Sequence, residues 1–205
     1  MGEKIYNRAL EYLISEEYIL NEDKDLYLYA LKVLTRSLTN VLAVIAIGLF
    51  FDRLLESVSM FISFFVLRKF AGGLHSEKYI ICFVSSIQIC SAGLILIKNA
   101  WYMSRYAYIV VMIISSILIV LFSPVEHPNK TISSKEAKVY KTIASVLSIV
   151  ICALSTALIL LNFFSMLGYS FGTGLIISSV LMAIGKIKYS YFHLPQIDEL
   201  AKGEM

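Results

Sequence analysis

The chain is short of charged residues. Of its 205 residues, 16 % are Asp, Glu, Lys or Arg and 58 % are hydrophobic, and the mean hydropathy is +0.75. Soluble globular domains carry roughly 25 % charged residues, and a chain this poor in charge could not cover a water-facing surface without large apolar patches. The composition excludes most soluble enzymes and predicts an all-α, polytopic membrane protein.

Proline, cysteine and clustered basic residues are also scarce. With three prolines and no Gly- or Pro-rich linker, residues 1–205 are predicted to form a single domain. The three cysteines lie in or beside apolar segments, and their odd number argues against a disulfide framework: Cys82, Cys90 and Cys152. The net charge of +3 without a Lys/Arg run gives no support for a nucleic-acid partner.

Charged residues are concentrated in the first 36 residues, which therefore contain no apolar signal segment. Apolar side chains recur there every three to four residues, which predicts two amphipathic helices separated by the polar run 21–25. These helices pack either on the lipid surface or on the protein's own core. In both cases residues 1–36 are predicted to stay outside the bilayer, in the cytosol.

Residues 37–185 are predicted to form the transmembrane core, and residues 186–205 a polar tail. Two short spans with a tight hairpin at Asp52-Arg53 fit the first part best, although one bent helix is the alternative. A turn is predicted around Leu167-Gly168, before the last span. The six predicted spans are 37–51, 54–67, 79–97, 106–122, 142–164 and 169–185.

The Lys and Arg residues between these spans alternate in number. A cytosolic N-terminus assigns 15 of the 18 basic residues to the cytosolic side and 3 to the outside, as the positive-inside rule requires. The sequence therefore predicts six transmembrane helices with both termini in the cytosol.

One polar segment lies between the second and third predicted spans. It contains Arg68, the adjacent Gly72 and Gly73, and His75, and Cys82 follows at the start of span three. Polar groups at a membrane boundary are costly and tend to be retained for a task. Adjacent glycines allow a positive φ and the close approach of another chain segment, or they simply end the preceding helix. This segment is the candidate functional site.

The spacing of His75 and Cys82 limits how they could cooperate. Seven residues apart on one helix, they would lie about 10 Å apart along its axis, so His75 must lie on a loop that folds back over the start of span three. A thiol in the first turn of a helix is favoured as the thiolate nucleophile. A packed, inert cysteine is the commoner role, and Cys90 and Cys152, which are deeper and lack such a histidine, are predicted to be core residues.

The pattern Arg-x-x-x-Gly-Gly-x-His followed by Cys resembles the accessory gene regulator B (AgrB) family of bacterial membrane peptidases. The resemblance implies a cysteine peptidase of peptide quorum sensing in the bacterial cell membrane, with its site on the cytosolic side. Its implied partner is an AgrD-like precursor, which is cut through an acyl-enzyme and closed to a thiolactone or lactone. By analogy Cys82 is the nucleophile and His75 the base. The resemblance also implies a homodimer. Membrane lipid is expected as a further partner, and no cofactor is expected.

The roles of the surrounding residues stay open. No third catalytic residue is assigned, because Ser76 and Glu77 are equally well explained as solvated loop side chains. Arg68 could bind a substrate carboxylate, support the loop or anchor a span to lipid headgroups. Gly72 and Gly73 are candidates for loop support or substrate binding.

The second cytosolic loop precedes predicted span five. Ser133 and Glu136 form a capping-box pattern that starts a helix. Lys135, Lys138 and Lys141 follow near one face, either as topology determinants or as substrate-binding residues. No metal site is predicted, since Glu126-His127 lacks further ligands.

The main alternative function is a small membrane transporter or scaffold without peptidase activity. In that interpretation Glu56, Arg68 and His75 would line a polar path, and Cys82 would only pack. The predicted spans offer few polar groups for a midplane site, which disfavours this alternative.

Overall fold

The computed structural model describes residues 2–16, 18–72, 79–99, 104–125, 133–162 and 164–202. Within these ranges all regular structure is helical, apart from one isolated β-bridge. The helices are α1 (Gly2–Ser15), α2 (Lys24–Phe50), α3 (Leu54–Ala71), α4 (Tyr79–Asn99), α5 (Arg105–Phe122), α6 (Ser134–Leu160) and α7 (Ser165–Lys202), with a 3-10 turn at Asn21–Asp23.

The chain forms two compact units, residues 1–43 and residues 44–205. The first contains α1, the 3-10 turn and the beginning of α2. The predicted boundary after Arg36, between the amphipathic helices and the transmembrane core, lies within α2, which continues to Phe50. The change in composition at this position alters the polarity of the helix surface, but no Gly or Pro is present to interrupt the backbone.

A tight hairpin joins α2 and α3, and it excludes the single bent helix. Asp52 adopts a positive φ of 53°, and the backbone N–H of Arg53 donates to the Gly48 carbonyl at 2.8 Å. Residues 44–50 of α2 and the beginning of α3 then run back along each other, since the Ser57 hydroxyl donates to the Val44 carbonyl at 2.9 Å. The break predicted at Asp52-Arg53 is thus confirmed.

The turn between α6 and α7 lies earlier than predicted. It is centred on Asn162, whose φ of 56° is one that Asn tolerates. Gly168, predicted as the turn residue, lies inside α7, where a Cβ would meet the Ser155 carbonyl oxygen and an Ile159 side-chain carbon at 2.8 Å. The glycine permits close helix packing there, so the prediction of a turn at Leu167-Gly168 was wrong. The predicted polar tail is also helical, because α7 runs to Lys202.

Helix α7 is the central element of the larger unit and contacts α3, α4, α5 and α6. Buried hydroxyls form hydrogen bonds between helices of this unit: Ser63 of α3 donates to the Phe171 carbonyl of α7 at 2.8 Å, and Ser116 of α5 donates to Ser148 of α6 at 3.4 Å. Small residues and interhelical hydrogen bonds are typical of helix packing in membranes, where lipid removes the hydrophobic drive between helices.

In the part of the chain that the structure describes, four helices are long and apolar enough to cross a membrane: α2, α5, residues 135–160 of α6 and residues 165–188 of α7. Helices α3 and α4 occupy the positions of the second and third predicted spans, and residues 83–99 of α4 form a shorter apolar stretch. The all-helical prediction is therefore confirmed, together with four candidate membrane-spanning helices.

Candidate active site

Four helices meet at one end of the larger unit, which we call the basic end. The end of α3 contacts the start of α6 through the rings of Phe70 and Tyr140, whose centroids are 6.1 Å apart. The end of α5 contacts α7, because the Lys186 ammonium lies 4.3 Å from the centre of the Phe122 ring. The basic end contains Arg68, Lys69, Lys135, Lys138, Lys141, Lys186 and Lys188.

The chain leaves α3 at the basic end through Gly72. This residue has φ 75° and ψ −157°, a conformation that is essentially restricted to glycine. Its N–H donates to the Arg68 carbonyl at 3.2 Å and so ends the helix. The positive φ predicted for the glycine pair is present at Gly72. The predicted close approach of another chain segment also occurs there.

That segment follows α5. Val125 forms the isolated parallel β-bridge with Gly72, and its N–H donates to the Ala71 carbonyl at 3.0 Å. A Cβ on Gly72 would collide with the Val125 carbonyl oxygen. Sequence reasoning did not single out Val125, because the contact joins residues more than fifty positions apart and no local pattern marks it.

Two of the predicted site residues, Gly73 and His75, lie outside the described residues, as do Ser76 and Glu77. The backbone of Cys82 is described, but its side chain is not. Cys82 is the fourth residue of α4, which begins at Tyr79. The proposed nucleophile therefore belongs to the first turns of a helix that begins seven residues after Gly72, the residue bridged to Val125.

The other two cysteines are packed inside the larger unit, as predicted. The Cys90 side chain is 5 % exposed and its sulfur lies 3.6 Å from the Ser57 hydroxyl. Cys152 is 9 % exposed and belongs to the same hydrophobic core. Neither thiol is accessible to a peptide substrate in this arrangement.

Arg68 lies in the last turn of α3, partly buried. Its guanidinium carbon lies 5.4 Å from the centre of the Phe64 ring, a cation–π distance. Through its carbonyl, Arg68 also accepts the Gly72 N–H. These contacts are compatible with loop support, and the predicted role in binding a carboxylate stays a prediction.

The predicted lysine group lies in the first two turns of α6. The capping box that starts this helix is confirmed, since the Ser133 hydroxyl accepts the Glu136 N–H at 3.3 Å and the Glu136 carboxylate accepts the Ser133 N–H at 3.1 Å. Lys135, Lys138 and Lys141 are all exposed. They are therefore free of the core and available to an external ligand or to lipid headgroups.

Two of the three groups required for a transport path, Glu56 and Arg68, are not brought together, and the third, His75, lies outside the described residues. Glu56 lies in the first turn of α3 and pairs with Arg53 at 3.1 Å. Arg68 lies twelve residues further along the same helix, which is about 18 Å along its axis. Among the described residues there is also no group of three or more His, Cys, Asp or Glu side chains that could hold a metal ion.

The chain matches the family Accessory gene regulator B, AgrB, over residues 6–185, which includes every predicted site residue, and it belongs to that family. Two curated relatives from Clostridium perfringens carry AgrB-like names, one from strain 13 (Type A) and one from strain SM101 (Type A). Each is 28 % identical over 144 residues, or 67 % of both chains. No solved structure matches. The apolar helices and the family together identify a membrane protein of the quorum-sensing peptide pathway.

Proposed function

We propose that this protein is a membrane cysteine endopeptidase that cuts an AgrD-like precursor and promotes its cyclisation. The observation that carries the proposal is the position of Cys82 in the first turns of α4, ten residues beyond Gly72 and its bridge to Val125. The family match spans this whole segment. Because Cys90 and Cys152 are buried, Cys82 is the cysteine best placed to meet a substrate.

In the proposed reaction His75 takes the proton of the Cys82 thiol, and the thiolate attacks the scissile carbonyl carbon. The peptide C–N bond breaks, and the C-terminal fragment leaves as an amine with that proton. The N-terminal fragment stays on Cys82 as a thioester. A thiol or hydroxyl of the same fragment then attacks the thioester carbonyl, closes the ring and releases the Cys82 thiol.

The short chain between Gly72 and His75 limits how far the proposed base can lie from the Gly72–Val125 bridge. A chain extends by at most about 3.5 Å per residue, so the His75 Cα lies within roughly 11 Å of the Gly72 Cα. A thioester keeps the acyl group activated, and an internal nucleophile held nearby captures it efficiently when water is excluded. A site at a membrane surface favours that exclusion.

We further propose that α2 to α7 all span the membrane, with both termini and the basic end in the cytosol. Basic residues are retained on the cytosolic side of membrane proteins. The described part of the basic end carries seven Lys or Arg residues, which supports this orientation. Homodimer formation and lipid contact remain expectations from the family.

The test is cleavage of an AgrD-like precursor by the purified protein in liposomes. Cys82→Ala should lower cleavage by roughly 10³-fold or more, because the nucleophile is lost. Cys90→Ala and Cys152→Ala are the matched controls and should retain cleavage. Mass spectrometry of the unmodified enzyme should find the N-terminal fragment on Cys82, and cleavage by correctly inserted Cys82→Ala would refute the proposal.

A further inference from the structure

We infer that Val125 is a positioning residue for the proposed site, acting through the backbone bridge to Ala71 and Gly72. Its peptide group fixes the point and direction in which the chain leaves α3 toward His75. The inference rests on the proposed function, and it assigns a role to the segment after α5 that the sequence did not suggest.

The first argument is the hydrogen bonding at the end of α3. The last carbonyls of a helix have no partner within the helix and need one from elsewhere. At Ala71 this partner is the Val125 N–H, at 3.0 Å, from a segment that is distant in sequence. The last carbonyl of α3 is therefore bonded to another segment of the protein instead of to water.

The second argument is steric. The Val125 carbonyl oxygen occupies the space that a Cβ of residue 72 would fill, and the φ and ψ of Gly72 are themselves restricted to glycine. Two independent features thus require a glycine at this position. A residue with a side chain would displace Val125 or change the direction of the chain after α3.

The third argument is that Val125 is itself anchored. Two residues before Val125, Ser123 caps the end of α5, because its N–H donates to the Ile119 carbonyl at 3.0 Å. The partly buried Val125 side chain packs against the hydrophobic core. The bridge therefore connects the departure point of the His75 segment to a fixed part of the bundle.

His75 is the third residue after Gly72, so a displaced Gly72 would move the proposed base relative to Cys82. Catalytic groups act only within narrow limits of distance and angle, and a misplacement of about 1 Å can lower a rate by roughly 100-fold. The bridge should consequently affect the chemical step more than precursor binding.

Val125→Pro removes the N–H that bonds Ala71, whereas Val125→Ala keeps it and shortens the side chain. We expect Val125→Pro to lower kcat by about 10-fold to 100-fold at nearly constant KM, and Val125→Ala to stay within about 3-fold of the original kcat. A purely structural defect would lower the amount of inserted protein without this separation of kcat from KM.

Alkylation provides a readout that needs no precursor. In a Cys90→Ser, Cys152→Ser background, iodoacetamide at pH 7 reports the reactivity of Cys82, because the thiolate is the reacting form. Val125→Pro should slow alkylation to the rate of His75→Ala, and Val125→Ala should not. Gly72→Ala should disrupt the same bridge from the α3 side and should give the same results as Val125→Pro. It therefore tests the proposal even if Val125→Pro does not insert into the membrane.

The outcomes separate the two proposals. If His75→Ala changes neither cleavage nor alkylation, the proposed catalytic pair is wrong, and Val125 has no base to position. If His75→Ala lowers both rates, but inserted Gly72→Ala and Val125→Pro behave as Val125→Ala does, the catalytic pair stands and the positioning role is overturned.

Discussion

The hydroxyl of Tyr108 on α5 donates a hydrogen bond to the main-chain carbonyl of Tyr169 on α7 at 2.7 Å. The Thr173 hydroxyl lies 2.9 Å from the same phenolic oxygen. The two tyrosine rings meet edge to face, with centroids 4.8 Å apart. Because α7 is the central helix, this group of contacts fixes the beginning of α5 in the bundle.

Replacing Tyr108 with Phe should destabilise the bundle. The change removes the hydroxyl that is hydrogen-bonded to the Tyr169 carbonyl and to the Thr173 hydroxyl, and it leaves the ring in place. The free energy of unfolding should therefore fall by about 0.5–1.5 kcal/mol. Thermal unfolding in detergent measures the effect. Tyr106→Phe is the matched control, since Tyr106 is 64 % exposed; equal stability of the two variants would show that the buried hydrogen bonds contribute nothing.

A second prediction compares two glycines that both face Met60. A Cβ on Gly174 would lie 2.5 Å from the Met60 carbonyl oxygen, which is backbone, whereas one on Gly93 would meet the flexible end of the Met60 side chain. Gly174→Ala should therefore destabilise the protein by about 1–3 kcal/mol, and Gly93→Ala by clearly less. The free energies of unfolding of the two variants test this, and the reverse order would contradict the α3–α7 packing.

The helices could be predicted from the sequence because apolar runs and their charged borders extend over whole segments. The capping box of Ser133 and the break at Asp52-Arg53 are equally local, and both were predicted correctly. The turn predicted at Gly168 was wrong because a glycine is suited both to a turn and to a close contact between helices. Only the position of α6 decides between these two roles. The change in composition after Arg36 lies within a single helix, α2, since polarity can change along a helix that does not end.

The candidate site was only partly predictable. Arg68, Gly72 and Cys82 belong to one continuous motif, so their proximity in the chain indicated a site. The partner of Gly72 could not be predicted, because the bridge to Val125 depends on how α3 and α5 pack together. The buried hydroxyls were likewise undervalued, since Ser and Thr satisfy carbonyls inside helices without any mark in the hydropathy pattern.

The proposed topology predicts which exposed positions face the cytosol. In a variant whose three cysteines are replaced by serine, Ser133→Cys should react with an impermeant maleimide only from the cytosolic side. Asn162→Cys, at the other end of α6, should react only from outside. The asymmetry of basic residues motivates this orientation. External labelling at position 133 would show that the number of spans before α6 is wrong.

The last prediction concerns the exposed lysines at the start of α6. We expect Lys135, Lys138 and Lys141 to attract an acidic region of the precursor, which the family resemblance suggests beyond the cleavage site. Each exposed charge pair contributes only about 0.2–1 kcal/mol, so single Lys→Gln changes should be mild. The triple change should raise KM several-fold in low salt at nearly constant kcat, and added salt should reduce the difference.

Lys98→Gln is the matched control, because Lys98 is also exposed but lies at the far end of α4, away from the basic end. A general effect of net charge would raise KM there as well, whereas local recognition would leave KM unchanged. If the inserted triple variant keeps its original KM in low salt, the three lysines are topology determinants only. Recognition of the precursor would then have to involve other surfaces, such as the surroundings of Arg68, whose guanidinium lies over Phe64 at the same end of the bundle.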